Sequence, residues 1–382
     1  MNGFVKDING AAINAAAVIV SGKAPVISGS NGSFSVTDVT TPYDITLVMS
    51  TQKIAVVYKG LTRPDPVLQF PQTTGTSRNA TISGSVPISS AVTRVFFTSG
   101  IKLWSTTANT GNGLYTINAS WYDTTSVFSG ELRVLRWTTS GGLPSNYNGY
   151  GSRNLAITAG GTFPNNNFVT GDLSDPAEQN ISGSVVRPTG FTTVNQRNID
   201  ILFGNAWMII ATESGSLADA FSYAVANITG ATFGVYARAS TNRFTSFFRS
   251  GLSGGATGLS VTLETAPQLS LPVNNATNVD TVITFQWAQG GGIGVNRVII
   301  SDGGGNPQFY IYTTGTSLQI PNLAAQGLGL PSNTNYQWYV ERYYPLSSTN
   351  DVASDSYRDL TSYNSGDLGW MFSETFTFTT RP

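Results

Sequence analysis

Apolar and polar residues alternate along the whole chain in short segments, each ended by Gly, Asn, Asp or Pro. Clear examples are residues 308–312 (QFYIY) and 375–379 (TFTFT). A period of two puts successive side chains on opposite faces, which is typical of β-strands and not of helices. The pattern therefore predicts an all-β chain made of many short strands.

Two alanine-rich stretches, residues 11–17 and 217–228, favour a helix by intrinsic propensity. We interpret the first as a loop that enters a strand over residues 17–20 (AVIV). The second stretch is compatible with either a helix or a strand.

One phrase occurs twice, as NATISGSVP at residues 79–87 and as QNISGSVVRP at 179–188. The segments that follow keep the same order, which predicts two sister β-sandwich domains. In each domain a glycine, Gly84 or Gly183, lacks a side chain, so we expect a bulge or a close approach of a neighbouring backbone there. The matching segments are VFF, LYTINASW and ELRVLRW (95–97, 114–121, 131–137) and ILF, FSYAVANI and FGVYARA (201–203, 221–228, 233–239).

The N-terminal region carries GFVKD (3–7), Gly10, AVIV (17–20), NGSFSV (31–36) and YDITL (43–47). With these motifs it resembles the carboxypeptidase regulatory-like domain, a small transthyretin-like β-sandwich, over roughly its first 70 residues. The Asn31-Gly32 pair suits a tight turn, and Phe34 and Val36 are expected on one face. The resemblance implies a non-catalytic module.

The C-terminal region carries FQW (285–287), LPSNTNYQWYV (330–340) and FTF (376–378). It is similar to bacterial fibronectin type III-like domains. The resemblance implies that Trp287 is buried and that the hydroxyl of Tyr336 bonds to nearby backbone. A long insert, residues 341–370, departs from the short hairpin loop that is usual in that family.

A chain of 382 residues is long enough for several domains. We predict a tandem array of about four β-sandwich domains, transthyretin-like or immunoglobulin-like. The expected bounds are 1–72 for the regulatory-like domain, 77–172 and 177–266 for the two repeats, and 267–382 for the fibronectin-like domain with its insert.

Charged residues make up 11% of the chain, and 20 Lys and Arg against 21 Asp and Glu leave a net charge of -1. Without a basic stripe, nucleic acid is not an expected partner. The chain has no cysteine and no histidine, which excludes disulfides, thiolate ligands and the commonest general base. We expect no catalytic residues, no metal site, no cofactor and no membrane-spanning segment, and hence no enzyme.

Two polar segments are candidates for ion or phosphate binding. Asp172, Asp175 and Glu178 cluster in GDLSDPAE and offer oxygen ligands for calcium, although a solvated linker turn also explains them. The segment 301–307 (SDGGGNP) lacks the Gly-Lys-Ser/Thr of a phosphate loop, and we predict a hairpin turn.

The insert concentrates aromatic rings beside carboxylates and an arginine. Ring faces bury C–H surface while polar tips fix orientation, so these rings are candidate ligand-binding residues. The alternative is that they pack on the protein's own sheet and anchor a long loop. A smaller aromatic group, Tyr147 and Tyr150, is expected in a loop after Trp137. The candidate ligand-binding residues of the insert are Tyr343, Tyr344, Tyr357, Tyr363 and Trp370.

These features favour a non-catalytic structural or adhesive protein of the cell surface or extracellular space, extended as a rod. A rod would have a radius of gyration well above the ~21 Å expected for a compact chain of this length. One alternative is a self-assembling subunit of an extracellular filament or surface layer, and another is a carbohydrate-binding accessory protein. The expected partners are other proteins, surface glycans or further copies of the chain, with any export signal or lipid anchor outside this sequence.

Overall fold

The computed structural model describes residues 1–73, 76–122, 124–355 and 366–382. In this part of the chain strands follow the alternating segments, and the one α-helix is a single turn, Thr349–Val352. The chain is all-β, and its strands group into four successive β-sandwich modules. The all-β fold class that the alternation predicted is therefore confirmed.

The first three modules contain seven strands each. Module 1 has β1 (Asn2–Asp7), β2 (Ala17–Val20), β3 (Val26–Ile27), β4 (Ser33–Ser35), β5 (Tyr43–Met49), β6 (Ile54–Leu61) and β7 (Val67–Phe70). Module 2 has β8 (Arg78–Ser85), β9 (Val92–Ser99), β10 (Lys102–Thr107), β11 (Leu114–Trp121), β12 (Val127–Ser140), β13 (Leu143–Thr158) and β14 (Thr162–Phe163). Module 3 has β15 (Glu178–Val186), β16 (Val194–Phe203), β17 (Ala206–Leu217), β18 (Ala220–Ala226), β19 (Ala231–Ser240), β20 (Phe244–Leu252) and β21 (Leu259–Thr262).

These three modules share one strand order. In each, the first strand pairs antiparallel with the fourth and parallel with the seventh. The second strand pairs with the third and the fifth, and the fifth pairs with the sixth. The sequence indicated a repeat only in modules 2 and 3, because the ISGSV phrase is missing from module 1. The structure extends the repeated topology to module 1.

Several local predictions are confirmed. Residues 17–20 form β2, as predicted, and the alanine-rich stretch 217–228, which the sequence left open, contains strand β18. A Cβ atom at Gly84 would overlap the carbonyl oxygen of Asn166, and one at Gly183 would overlap that of Leu259. Glycine is therefore required in both modules where a neighbouring backbone approaches the first strand.

Module 4 places three strands against a larger sheet. Trp287 and Tyr336 are buried between its sheets, as expected. Among the described residues the hydroxyl of Tyr336 makes no hydrogen bond to backbone, contrary to expectation. The sheets are β22-β24-β27 and β23-β30-β28-β25-β26. The elements are β22 (Gln268–Leu271), β23 (Ala276–Val279), β24 (Thr284–Ala288), β25 (Val295–Asp302), β26 (Pro307–Thr313), β27 (Ser317–Gln319), β28 (Asn335–Tyr344), α1 (Thr349–Val352), β29 (Leu368–Phe372) and β30 (Phe376–Thr380).

The larger sheet of module 4 continues into two other modules. At one edge β26 pairs parallel with β6 of module 1 over Phe309–Tyr312. At the other edge β29 pairs antiparallel with β20 of module 3. A single sheet of 14 strands results, which we call the joined sheet. Module 4 thus lies between modules 1 and 3, whereas an end-to-end rod would separate the first module from the last.

Modules 2 and 3 contact each other through packed side chains on their sheets, and not through paired strand edges. Trp137 and Tyr147 of module 2 belong to the same buried cluster as the core of module 3. The guanidinium of Arg133 lies 4.1 Å from the ring centre of Phe203, and Tyr150 stacks on that ring at 6.4 Å. The Tyr147 to Tyr150 segment was predicted to be a loop, but it lies in β13, where Tyr147 is needed for this contact.

No helix in the described ranges is long and apolar enough to cross a membrane.

Candidate binding surface on the joined sheet

Four aromatic side chains form a continuous surface where module 3 meets module 4. The pairing places Phe244 opposite Phe372, with Trp370 and Tyr339 on the same face of the sheet. The ring centres of Phe244 and Phe372 are 4.1 Å apart, and those of Trp370 and Phe372 are 4.7 Å apart. Tyr339 stacks beside Phe372 at 6.1 Å and 14°. All four rings are half-buried, and we call them the aromatic strip.

The alternation of β29 (LGWMF) explains why its rings point this way. Met371 faces the buried cluster of modules 2 and 3, so Trp370 and Phe372 point to the opposite face. Gly369 lies on the same face as Met371, close to the side chains of Phe247 and Tyr344. The strand is thus anchored on one side and presents two aromatic rings on the other.

Polar groups flank the aromatic strip. The guanidinium of Arg238 lies 4.4 Å from the ring centre of Phe244, a favourable cation–π geometry. The ring N–H of Trp370 has no hydrogen-bond partner in the described residues. Burial, with a smaller effect of Glu341, raises the pKa of Tyr339 to about 12, so its hydroxyl stays protonated as a donor.

The structure separates the five rings that the sequence singled out. Tyr343 is fully buried, its hydroxyl donates to Glu341 at 2.5 Å, and its ring stacks on Trp370 at 6.1 Å. Tyr344 points to the opposite face, where its ring lies 6.0 Å from that of Phe247. These contacts fit the alternative in which the rings pack on the protein's own sheet, and only Trp370 belongs to the aromatic strip. Tyr357 and Tyr363 lie outside the described residues.

Sequence reasoning missed Phe244, Phe372 and Tyr339 as members of this surface. Phe372 directly follows the insert, whereas Phe244 lies in another module. The signal present in the sequence is the alternation within each strand, which gives the face but not the neighbouring strand. Only the pairing of β20 with β29 brings the rings together.

On the same face, a largely buried ion pair within module 4 lies next to the contact with module 1. Arg297 Nε donates to Glu341 Oε2 at 2.5 Å, and Arg297 lies 5.4 Å from the ring centre of Tyr343. Burial alone would lower the pKa of Arg297, but Tyr343 and Glu341 raise it well above its ordinary value. Next to this pair, Tyr312 stacks on Tyr58 of module 1 at 4.9 Å. We call the β6–β26 contact, with these side chains, the module 1 seam.

The turn α1 adds a second set of contacts to the module 1 seam. The side-chain oxygen of Asn350 accepts the backbone N–H groups of Thr62 and Arg63, at 2.9 and 3.2 Å. The hydroxyl of Thr349 donates to the carbonyl of Lys59 at 2.8 Å. The first part of the predicted insert therefore fastens module 1 to module 4.

The other polar candidates serve local structure. Asp172 accepts the backbone N–H of Val169 at 2.9 Å and pairs with Arg153 at 3.0 Å, while Glu178 accepts the N–H of Tyr147 at 2.6 Å. Within the described ranges, no three His, Cys, Asp or Glu residues are grouped to hold a metal ion. The segment 301–307 contains the turn between β25 and β26, so the predicted hairpin turn is confirmed.

No protein-family model and no curated protein matches the sequence. Among solved structures, a leucine-rich repeat protein from Bacteroides thetaiotaomicron is 9% identical over 49% of this chain and 26% of its own, with a TM-score of 0.18. A tetra-tandem repeat from the extending region of a large adhesion protein is 10% identical over 90% of this chain and 95% of its own, with a TM-score of 0.15. The Bacillus anthracis TIE protein is 9% identical over 86% of this chain and 60% of its own, with a TM-score of 0.17. Scores this low do not establish a shared overall arrangement.

The fold and the joined sheet define the class of the protein as a multi-module all-β protein.

Proposed function

We propose that the chain is a non-catalytic structural or adhesive protein of the cell surface or extracellular space, with other proteins or surface glycans as partners. The observation that carries the proposal is the joined sheet, in which modules 1, 4 and 3 pair edge to edge. The regulatory-like resemblance of module 1 supports the proposal, because it implies a non-catalytic module.

Edge pairing fixes the modules more firmly than a flexible linker does. Backbone hydrogen bonds across the β6–β26 and β20–β29 contacts satisfy strand edges that would otherwise stay open. The module 1 seam adds a buried ion pair and stacked rings. A unit with such fixed geometry is suited to bearing load and to holding a binding surface in one orientation.

Single-molecule pulling between residues 1 and 382 tests the load-bearing role. We expect a first rupture that separates module 1 from module 4 before any module unfolds, because both attachment points lie in the modules that this seam joins. Replacing Tyr58 and Tyr312 by alanine should remove this first event and keep the later unfolding events. Tyr122→Ala, an exposed ring in module 2, is the matched control. Traces of the unaltered protein that contain only independent unfolding events would contradict the proposal.

The aromatic strip favours a second candidate, a carbohydrate-binding accessory role. Half-buried stacked rings beside Arg238 offer apolar faces for the C–H surface of sugars together with polar tips. A glycan array tests it: Trp370→Ala should weaken or abolish binding, whereas Tyr122→Ala should not. An array without hits for the unaltered protein would remove this candidate and leave the structural role standing.

A further inference from the structure

A polar groove continues the face of the aromatic strip along β28. Its volume is about 440 Å³, and it lies between β23, β28 and β30. All of its lining residues lie in the described part of the chain, and none carries a charge. The side chains that matter below are Asn275, Thr277, Asn335, Gln337, Thr377 and Thr379.

Internal hydrogen bonds hold the asparagines of this groove in place. The hydroxyl of Thr377 donates to the side-chain oxygen of Asn275 at 2.7 Å, and that of Thr379 donates to the side-chain oxygen of Asn335 at 2.6 Å. Both bonds use amide oxygens, so the NH₂ groups remain as donors. Asn275 and Asn335 are exposed, which leaves these donors open to a ligand.

The groove and the aromatic strip meet on one strand. Asn335, Gln337 and Tyr339 alternate along β28 and therefore point to the same face. At a rise of about 3.4 Å per residue, this row of two amides and one ring extends over roughly 13 Å. The row is long enough to contact several units of a chain-like ligand.

We infer that the polar groove binds a neutral oligosaccharide, with the ring of Tyr339 supporting one end of the ligand. Amide and hydroxyl groups match sugar hydroxyls as donors and acceptors, and the ring accepts the apolar face of a pyranose. The lining residues provide no cation to select phosphate or carboxylate. An extended peptide would instead add to a free strand edge through its backbone, whereas these groups are side chains on a sheet face. The inference deepens the carbohydrate-binding candidate and rests on it.

Titration calorimetry with defined oligosaccharides tests the inference. The neutral probes are cellohexaose, maltohexaose, laminarihexaose and xylohexaose, and the charged probe is hexagalacturonate. We expect at least one neutral probe to bind more tightly than the charged one. The double variant Gln337→Ala with Thr379→Ala should weaken that binding by about tenfold or more, because it removes the amide of Gln337 and the hydroxyl that holds Asn335 in place. The matched control is Asn118→Ala with Thr116→Ala, two exposed residues of β11, which should leave the affinity unchanged.

Three results would overturn the inference: no neutral probe binds, hexagalacturonate binds at least as tightly, or the double variant binds like the unaltered protein. The third result, combined with a loss of binding in Trp370→Ala, would assign sugar binding to the aromatic strip and keep the carbohydrate-binding candidate. Loss of binding in the groove variant with an unchanged unfolding transition supports the groove, because the fold is then intact.

Discussion

Both edges of the module 4 sheet pair with a strand of another module, but the side chains at the two contacts differ. At the module 1 seam the strands run parallel, and a buried Arg297–Glu341 pair lies beside the stacked rings of Tyr58 and Tyr312. At the contact with module 3 the strands run antiparallel, and the rings of the aromatic strip remain half-buried. Edge pairing fixes position in both cases, but the stacked rings at the first contact are buried, whereas those of the aromatic strip are half-buried. We infer that the module 1 seam mainly fixes the modules in place, and that the contact with module 3 also exposes a candidate binding surface.

Among the substitutions, breaking the Arg297–Glu341 ion pair should have the largest effect. Glu341→Ala leaves the guanidinium of Arg297 buried without its carboxylate, which we expect to lower the free energy of unfolding by about 3–5 kcal/mol. Urea unfolding followed by tryptophan fluorescence measures this loss. Asp65→Ala, which breaks the exposed pair with Arg63, is the matched control and should cost about 1 kcal/mol or less. Equal losses in the two variants would mean that burial does not make the Arg297–Glu341 pair more important than an exposed pair.

The module 3 part of the joined sheet contains a buried carboxylate, which should make the stability of this module depend on pH. Asp200 is buried opposite Gly234, whose missing side chain leaves room for the ring of Phe248, and one carboxylate oxygen of Asp200 has no hydrogen-bond partner in the described residues. Burial raises the pKa of Asp200 from 3.8 to about 8. Between these values the folded state binds the proton that the unfolded state has released, so stability falls as pH rises.

We therefore expect the free energy of unfolding of module 3 to fall between pH 4 and 8, by up to about 1.4 kcal/mol per pH unit. The stabilisation is complete below the unfolded pKa and is lost as pH rises through the folded pKa. Asp200→Asn should flatten this dependence, and Asp175→Asn, at an exposed position, should not. Thermal unfolding at a series of pH values decides between them. A wild-type slope that survives in Asp200→Asn would assign the response to another group.

Ring deletions compare the two contacts directly. Tyr58→Leu removes a fully buried ring whose hydroxyl accepts the N–H of Gln69 at 2.9 Å. Phe372→Leu removes a half-buried ring, and we expect a loss of about 0.5–1.5 kcal/mol from its stacking. Chemical unfolding should show the larger loss for Tyr58→Leu. A larger loss for Phe372→Leu would mean that the aromatic strip mainly stabilises the fold and is not a binding surface.

The strands of this chain were predictable, but the contacts between its modules were not. Alternation within residues 375–379 or 308–312 depends on neighbours in sequence, so it identifies strands without knowledge of their partners. The pairing of β26 with β6 joins residues more than 250 positions apart, and no local pattern encodes it. For the same reason Tyr343 was selected as a ligand-binding candidate, although its place beside module 1 buries it completely.

The smallest effect is expected from an exposed ion pair at the end of the β20–β29 contact that lies away from Phe244 and Phe372. Arg249 of module 3 lies 3.1 Å from Asp367 of module 4, and both side chains are substantially exposed. Solvent and salt screen such a pair, so Asp367→Asn should lower the free energy of unfolding by about 0–1 kcal/mol, and the difference should vanish at 1 M NaCl. Urea unfolding at low and high salt measures it, with Asp280→Asn, which breaks the exposed pair with Arg381, as the control. A salt-insensitive loss of several kcal/mol would show that the module 3 contact depends on charge as strongly as the module 1 seam does. The proposed difference between the module 1 seam, which fixes the modules, and the module 3 contact, which exposes a binding surface, would then be wrong.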